Sequence, residues 1–147
     1  MVKIIAGVIV GYVVMLMLVV VLGVTLFMML GAERAFAPGA YTPSALWIVL
    51  ALLCALLAAI AGGWACAAIG GAGTAPKILA MLVFVLGLLF VYPALNPGAD
   101  LRPTTRMSGE DLMVSMQNAR QPVWVAVMNP FLGVVGVIIG ARRGRRA

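Results

Sequence analysis

Ionisable side chains are scarce in this sequence. Its 147 residues include no histidine, two cysteines and four acidic residues, and only 10% of the chain is charged. Soluble domains are about one quarter charged, and so short a chain has too little interior to hide this much apolar surface. No serine or cysteine has an evident activating partner, and the cysteines lack metal-ligand spacing. The sequence therefore predicts neither a soluble fold nor an enzyme, and it predicts no metal site and no cofactor.

Apolar residues instead make up 65% of the chain and are concentrated in four runs. At about 1.5 Å per helical residue, each run is long enough, or nearly so, to cross a hydrocarbon core of roughly 30 Å. The runs are continuously apolar, which favours helices over membrane strands, where apolar and polar residues alternate. We therefore predict an all-α membrane protein, a four-transmembrane-helix bundle in a single domain over 1–147. The predicted spans cover about 4–30, 46–69, 78–95 and 123–139.

Basic residues are divided unequally between the two ends of the predicted helices. One end carries Lys3, the turn at 70–77 and the C-terminal tail, with six basic and no acidic residues. The other end carries four basic and four acidic residues. The positive-inside rule therefore predicts that the N- and C-termini are cytoplasmic. The small size and the richness in Ala, Gly and Arg favour the plasma (inner) membrane of a bacterium.

The C-terminal tail contains four of the ten basic residues, Arg142, Arg143, Arg145 and Arg146. A basic tail of this kind can bind nucleic acid or the headgroups of anionic lipids. At the end of a membrane helix the headgroups are the nearer partner. We therefore expect the four arginines to contact anionic lipid, and we expect no nucleic-acid partner.

The second outer loop, residues 96–121, is the predicted partner-binding surface, because it is longer than a simple connection requires. Its second half is predicted to form a short extra helix from Gly109 to about Arg120, capped by Ser108. Loops often carry function, so its charged residues could bind a partner. The alternative is a solvated loop whose charges balance. The candidate partner-binding residues are Arg102, Arg106, Glu110, Asp111 and Arg120.

Small residues recur at four-residue spacing along the predicted spans. Such stripes let helix backbones approach closely, either within one chain or between neighbouring chains. In the fourth span, Pro130 cannot donate a hydrogen bond to the carbonyl of Ala126, and Asn129 can bond to another helix. The predicted helix-packing residues are Gly7, Gly11, Ala51, Ala55, Ala59, Gly63, Ala67, Asn129, Pro130, Gly136 and Gly140.

The predicted spans contain no Asp, Glu, Lys, Arg or His. Ion-coupled transporters and proton relays usually need such a residue, so both are disfavoured. The leading prediction is a structural or accessory subunit that packs with a larger membrane complex, or with itself, and presents its outer loop to a partner. The alternative is a lipid or small-molecule carrier with an apolar cavity between its helices. A tightly packed interior favours the subunit, whereas a cavity near Tyr12 and Asn129 favours the carrier.

Overall fold

The computed structural model describes residues 1–95, 103, 105, 107 and 109–144. Every regular element in this part of the chain is a helix, and all except the short α4 are long and apolar enough to cross a membrane. The predicted all-α architecture with four long apolar helices is therefore confirmed. The helices are α1 (Val2–Ala35), α2 (Ala45–Gly70), α3 (Thr74–Leu95), α4 (Leu112–Gln117) and α5 (Val123–Gly144).

The ends of three long helices differ from the predicted spans. Gly31 interrupts α1 with a φ of 68°, so the predicted end at residue 30 marks this break, and one further turn follows it. Glycine adopts such a φ readily because it has no Cβ. α3 begins at Thr74 rather than at 78, since Pro76 is tolerated in a first helical turn. α5 continues past 139 through a basic last turn, which an apolar run does not reveal.

The predicted extra helix is present but shorter than expected. It covers Leu112–Gln117 instead of 109–120. Gly109 has a φ of 84°, which is incompatible with a right-handed helix at that position. Asp111 is the N-cap, and its carboxylate accepts a hydrogen bond from a first-turn N–H at 2.7 Å. The prediction of a helix from Gly109 was therefore wrong, and the predicted cap, Ser108, lies outside the described residues.

α2 is the central helix of the four. It packs against α1 on one side and against α5 on the other, and α3 packs mainly against α5. The order around the assembly is therefore α1, α2, α5, α3, and the contact between α3 and α1 is sparse. The main core contains Cys66 of α2, Leu79 and Val83 of α3, and Val137 of α5, with Tyr12 of α1 packed against it.

Glycines set the close approach of α1 to α2. A Cβ atom placed on Gly7 would lie 2.6 Å from the Cα of Gly70, and one placed on Gly11 would lie 2.6 Å from the Cβ of Cys66. Carbon atoms pack at about 3.5–4.0 Å, so only a hydrogen atom fits at either position. The G-x-x-x-G pair of α1 therefore packs within the chain.

α2 and α5 approach each other in the same way. A Cβ atom on Gly136 would lie 2.5 Å from the Cβ of Ala59. On Gly63 and Gly140 it would overlap the backbones of Val137 and Ile60. The small residues of both helices thus form one continuous contact. Of the others on the α2 stripe, Ala67 is buried, whereas Ala51 and Ala55 are only half-buried.

The two ends of the assembly differ in chemistry. Lys3, Lys77, Arg142 and Arg143 lie at one end, which we call the basic end. At the other, the loop end, a small aromatic core joins the helices to the loop between α1 and α2, residues 36–44, which is the first of the two predicted outer loops. The ring of Phe27 lies 5.9 Å from that of Phe36 and 5.5 Å from that of Trp47, edge to face in both cases. Ala119 of the second outer loop packs against this core.

Candidate functional site

A cavity of about 510 Å³ lies between α1, α3 and α5. α1 contributes a wall from Tyr12 to Val20, α3 a wall from Val83 to Phe90, and α5 a wall from Ala126 to Gly133. Ala55 of α2 is also in contact with the space. The predicted packing residue Ala55 therefore borders the cavity.

The cavity opens sideways through the sparse contact between α1 and α3. Its floor is buried, with Val83 and Ala126 only 6% and 7% exposed. Its rim is exposed: Leu16 and Val20 on α1 are 49% and 54% accessible, and Phe90 on α3 is 77% accessible. The opening is therefore bordered by apolar side chains of α1 and α3.

In the described part of the chain, three polar residues line the cavity, Tyr12, Gln121 and Asn129. Asn129 lies six residues into α5, about 9 Å from the loop end at 1.5 Å per residue. The predicted hydrogen bond from its side chain to another helix does not occur among the described residues. Its amide is half-buried and borders the cavity. The residue that was predicted to join two helices therefore offers a donor and an acceptor to the cavity.

Pro130 shapes the same wall. It is buried inside α5, and a Cβ atom on Gly87 of α3 would lie 2.7 Å from its Cγ. Proline has no N–H, so the carbonyl of Ala126 is left without its usual helical donor. Both residues line the cavity. The interruption in the hydrogen bonding of α5 therefore lies at the cavity wall, next to Asn129.

Three of the predicted partner-binding residues, Glu110, Asp111 and Arg120, form hydrogen bonds at the loop end. The hydroxyl of the buried Tyr41 donates to the Glu110 carboxylate, at 2.6 and 2.7 Å from its two oxygens. The fully buried Ser115 donates to the same carboxylate at 3.5 Å. The backbone N–H of Arg120 donates to the Tyr41 carbonyl at 3.0 Å. Glu110 and Arg120 therefore hold the two outer loops together, and Asp111 caps α4.

The remaining predicted charged residues divide into two groups. Arg142 and Arg143 are exposed in the last turn of α5, at the basic end. Four others, Arg102, Arg106, Arg145 and Arg146, lie outside the described residues. Of the five outer-loop candidates, the three that the structure describes thus have hydrogen-bonded positions within the fold.

We expect Tyr41→Phe to destabilise the loop end by about 1.5 kcal/mol, because a buried hydroxyl bonded to a carboxylate is lost. The free energy of unfolding in a denaturing-detergent titration measures this. Glu110→Gln supplies the control in a double-mutant cycle, since it changes the other partner of the same bond. Simply additive losses in the double variant would show that the two side chains are not coupled.

Sequence reasoning missed Tyr41 and Ser115. The hydrogen bond from Tyr41 to Glu110 joins residues 69 positions apart, and no local pattern indicates such a pair. Tyr41 carried one usable signal, since a buried tyrosine usually needs a partner for its hydroxyl.

No known protein family matches the chain, and neither the curated proteins nor the solved structures include a significant match to it. In the part of the chain that the structure describes, no three His, Cys, Asp or Glu side chains come together. The cavity and its polar groups are thus the features from which a function can be argued.

Proposed function

We propose that this protein is a membrane carrier that takes a neutral, largely apolar lipid or small molecule from the bilayer into the cavity between α1, α3 and α5. One observation carries the proposal: the cavity borders Tyr12 and Asn129, opens sideways and has an apolar wall. Ligand sites are typically apolar clefts of about 300–1,000 Å³ with a few polar groups that orient the ligand. This cavity, of about 510 Å³, lies within that range.

The chemistry of the wall favours an uncharged ligand. Among the described residues, none that lines the cavity is charged at neutral pH. A charged group moved there from water would lose its hydration and gain no opposite charge, which is costly. A hydroxyl or carbonyl group, by contrast, can accept a hydrogen bond from the Tyr12 hydroxyl or the Asn129 amide. The class that fits best is a long-chain molecule with one neutral polar group.

A long-chain alcohol with a photoactivatable diazirine in its chain tests the proposal. We expect it to label the rim, at Leu16, Val20 or Phe90, and we expect an excess of the unlabelled alcohol to suppress the labelling. Leu53 and Leu57 of α2 are exposed apolar residues outside the cavity and serve as the control surface. Labelling of both surfaces to the same extent, without competition, would contradict a binding site.

Removing the polar groups should weaken binding of an alcohol more than binding of the matching alkane. We expect Tyr12→Phe and Asn129→Leu each to reduce affinity for the alcohol about three- to tenfold, the equivalent of one net hydrogen bond. Affinity for the alkane should hardly change. Tyr92→Phe is the control, because Tyr92 is exposed on α3 outside the cavity wall. Equal losses for alcohol and alkane would mean that the variants distort the cavity and that the hydroxyl is not recognised.

A structural or accessory subunit is the second candidate. It is supported by the loop end, where hydrogen bonds between the outer loops produce an ordered surface, and by the exposed Met28 and Met29 nearby on α1. Such a surface suits a partner protein. Native mass spectrometry of gently extracted protein tests this function. Larger proteins at fixed stoichiometry would support it, whereas a monomer that carries a neutral lipid would support the carrier.

The proposed orientation places the basic end in the cytoplasm of a bacterial cell. The argument is that Lys3, Lys77, Arg142 and Arg143 all lie at that end, and basic residues are retained on the cytoplasmic side. A fluorescent reporter fused to the C-terminus, active only in the cytoplasm, tests the orientation. Absence of reporter fluorescence at normal protein levels would show that the C-terminus is not in the cytoplasm.

A further inference from the structure

A groove that is separate from the cavity lies at the basic end, between the start of α3 and the end of α5. Its volume is about 480 Å³, and both Lys77 of α3 and Arg142 of α5 line it. Gly73 lies on its wall at the turn before α3, and Ala80 and Ile138 form its apolar side. Two cationic side chains from different helices thus share one recess with an apolar wall.

Among the described residues, no carboxylate balances the charge at this end. The chain has four acidic residues in all, and Glu33, Glu110 and Asp111 lie at the loop end. No carboxylate of the described residues lines the groove. α3 begins and α5 ends at the groove, so their dipoles oppose each other there. The two side-chain cations therefore supply the attraction for an anion.

Apolar residues follow the groove cations along the same faces of α3 and α5. Phe84 lies two turns beyond Lys77 on the same face of α3. Phe131 lies three turns before Arg142 on α5. The two phenyl rings meet edge to face with centroids 5.4 Å apart, so both helices turn these faces toward the same seam. A molecule with an anionic head in the groove has an apolar surface on which to lay its tail.

We propose that this groove binds one anionic phospholipid, with its phosphate between Lys77 and Arg142 and an acyl chain along the seam to Phe84 and Phe131. Basic pockets between membrane helices are suited to such headgroups. A defined site of this kind differs from diffuse attraction by a basic tail, because it depends on which cations line the groove. The inference rests on the four helices spanning a membrane, and it is independent of the cavity between α1 and α3.

Two double variants with equal change of charge test the site. Lys77→Gln with Arg142→Gln removes both groove cations. Lys3→Gln with Arg143→Gln removes a lysine and an arginine that are exposed at the same end but lie outside the groove. Native mass spectrometry in micelles then counts the phosphatidylglycerol molecules retained on the full-length chain. Phosphatidylcholine with the same acyl chains is the matched lipid, and far-ultraviolet circular dichroism checks that each variant is folded.

We expect the natural chain to retain one phosphatidylglycerol in preference to phosphatidylcholine. The groove variant should bind it about thirtyfold more weakly, since each cation near a membrane surface contributes roughly a fivefold gain. The control variant should change less than about threefold. Equal losses in both variants would overturn the site in favour of diffuse attraction. Displacement of the lipid by an excess of inorganic phosphate would also overturn it, because the groove would then recognise the phosphate and not the lipid.

Discussion

Gly140→Ala is expected to separate α5 from α2. A Cβ atom at Gly140 would overlap the carbonyl oxygen of Ile60 and would lie 2.8 Å from the backbone nitrogen of Trp64. Overpacking usually costs about 1–3 kcal/mol because side chains can shift. Here the obstacle is helix backbone, which cannot shift without moving the whole helix, so we expect a loss above about 3 kcal/mol. A denaturing-detergent titration followed by tryptophan fluorescence measures the loss, because Trp64 borders the contact.

Gly23→Ala is the matched control for this variant. Gly23 lies inside α1, and a Cβ atom there would have no neighbour within 4 Å. The same chemical change at this position should alter the free energy of unfolding by no more than about 0.5 kcal/mol. Gly136→Ala should fall between the two, since the Ala59 Cβ, 2.5 Å from the added atom, overlaps it less than the Ile60 oxygen does at Gly140. Alanine has a higher helix propensity than glycine, so similar losses at all three positions would not come from propensity and would show that the close contacts of Gly140 and Gly136 do not determine the result.

Hydropathy predicts the long helices because nothing but a helix satisfies the backbone of so long an apolar run. It fails at their ends, where the structure depends on individual residues. The bounds of α2 were predicted to within one residue, since Ser44 caps one end and Gly71, with a φ of 81°, ends the other. The basic end of α5 was missed because Arg142 and Arg143 extend a helix without extending an apolar run.

Periodicity identifies the packing face of a helix but not the helix that packs on it. The four-residue spacing indicated Gly7 and Gly11, yet only the structure shows that they meet Gly70 and Cys66. The same limit applies to the cavity. Tyr12 and Asn129 could be singled out as rare polar residues in apolar spans. That α3 lies beside α1 and leaves a gap there depends on the order of the helices, which spacing along one chain does not encode.

The second large effect concerns the cavity. Ala55→Phe is expected to abolish binding of a long-chain alcohol, because the added ring extends from α2 into the space that the ligand would occupy. The cavity is open on one side, so the ring has room and the fold should survive. A fall in affinity of at least about tenfold is expected, since filling a site removes most of its apolar contact with the ligand. Saturable photolabelling of the rim measures it.

Ala51→Phe makes the comparison decisive. Ala51 lies one turn from Ala55 on the same helix and is equally half-buried, but it does not line the cavity. The Ala51→Phe variant should therefore show unchanged photolabelling of the cavity rim. If Ala55→Phe alone abolishes labelling, the cavity binds the ligand and the carrier function gains direct support. If Ala55→Phe leaves labelling intact but releases a co-purified membrane protein, the occupant of the cavity is a partner helix. The accessory-subunit function then explains the same gap between α1 and α3.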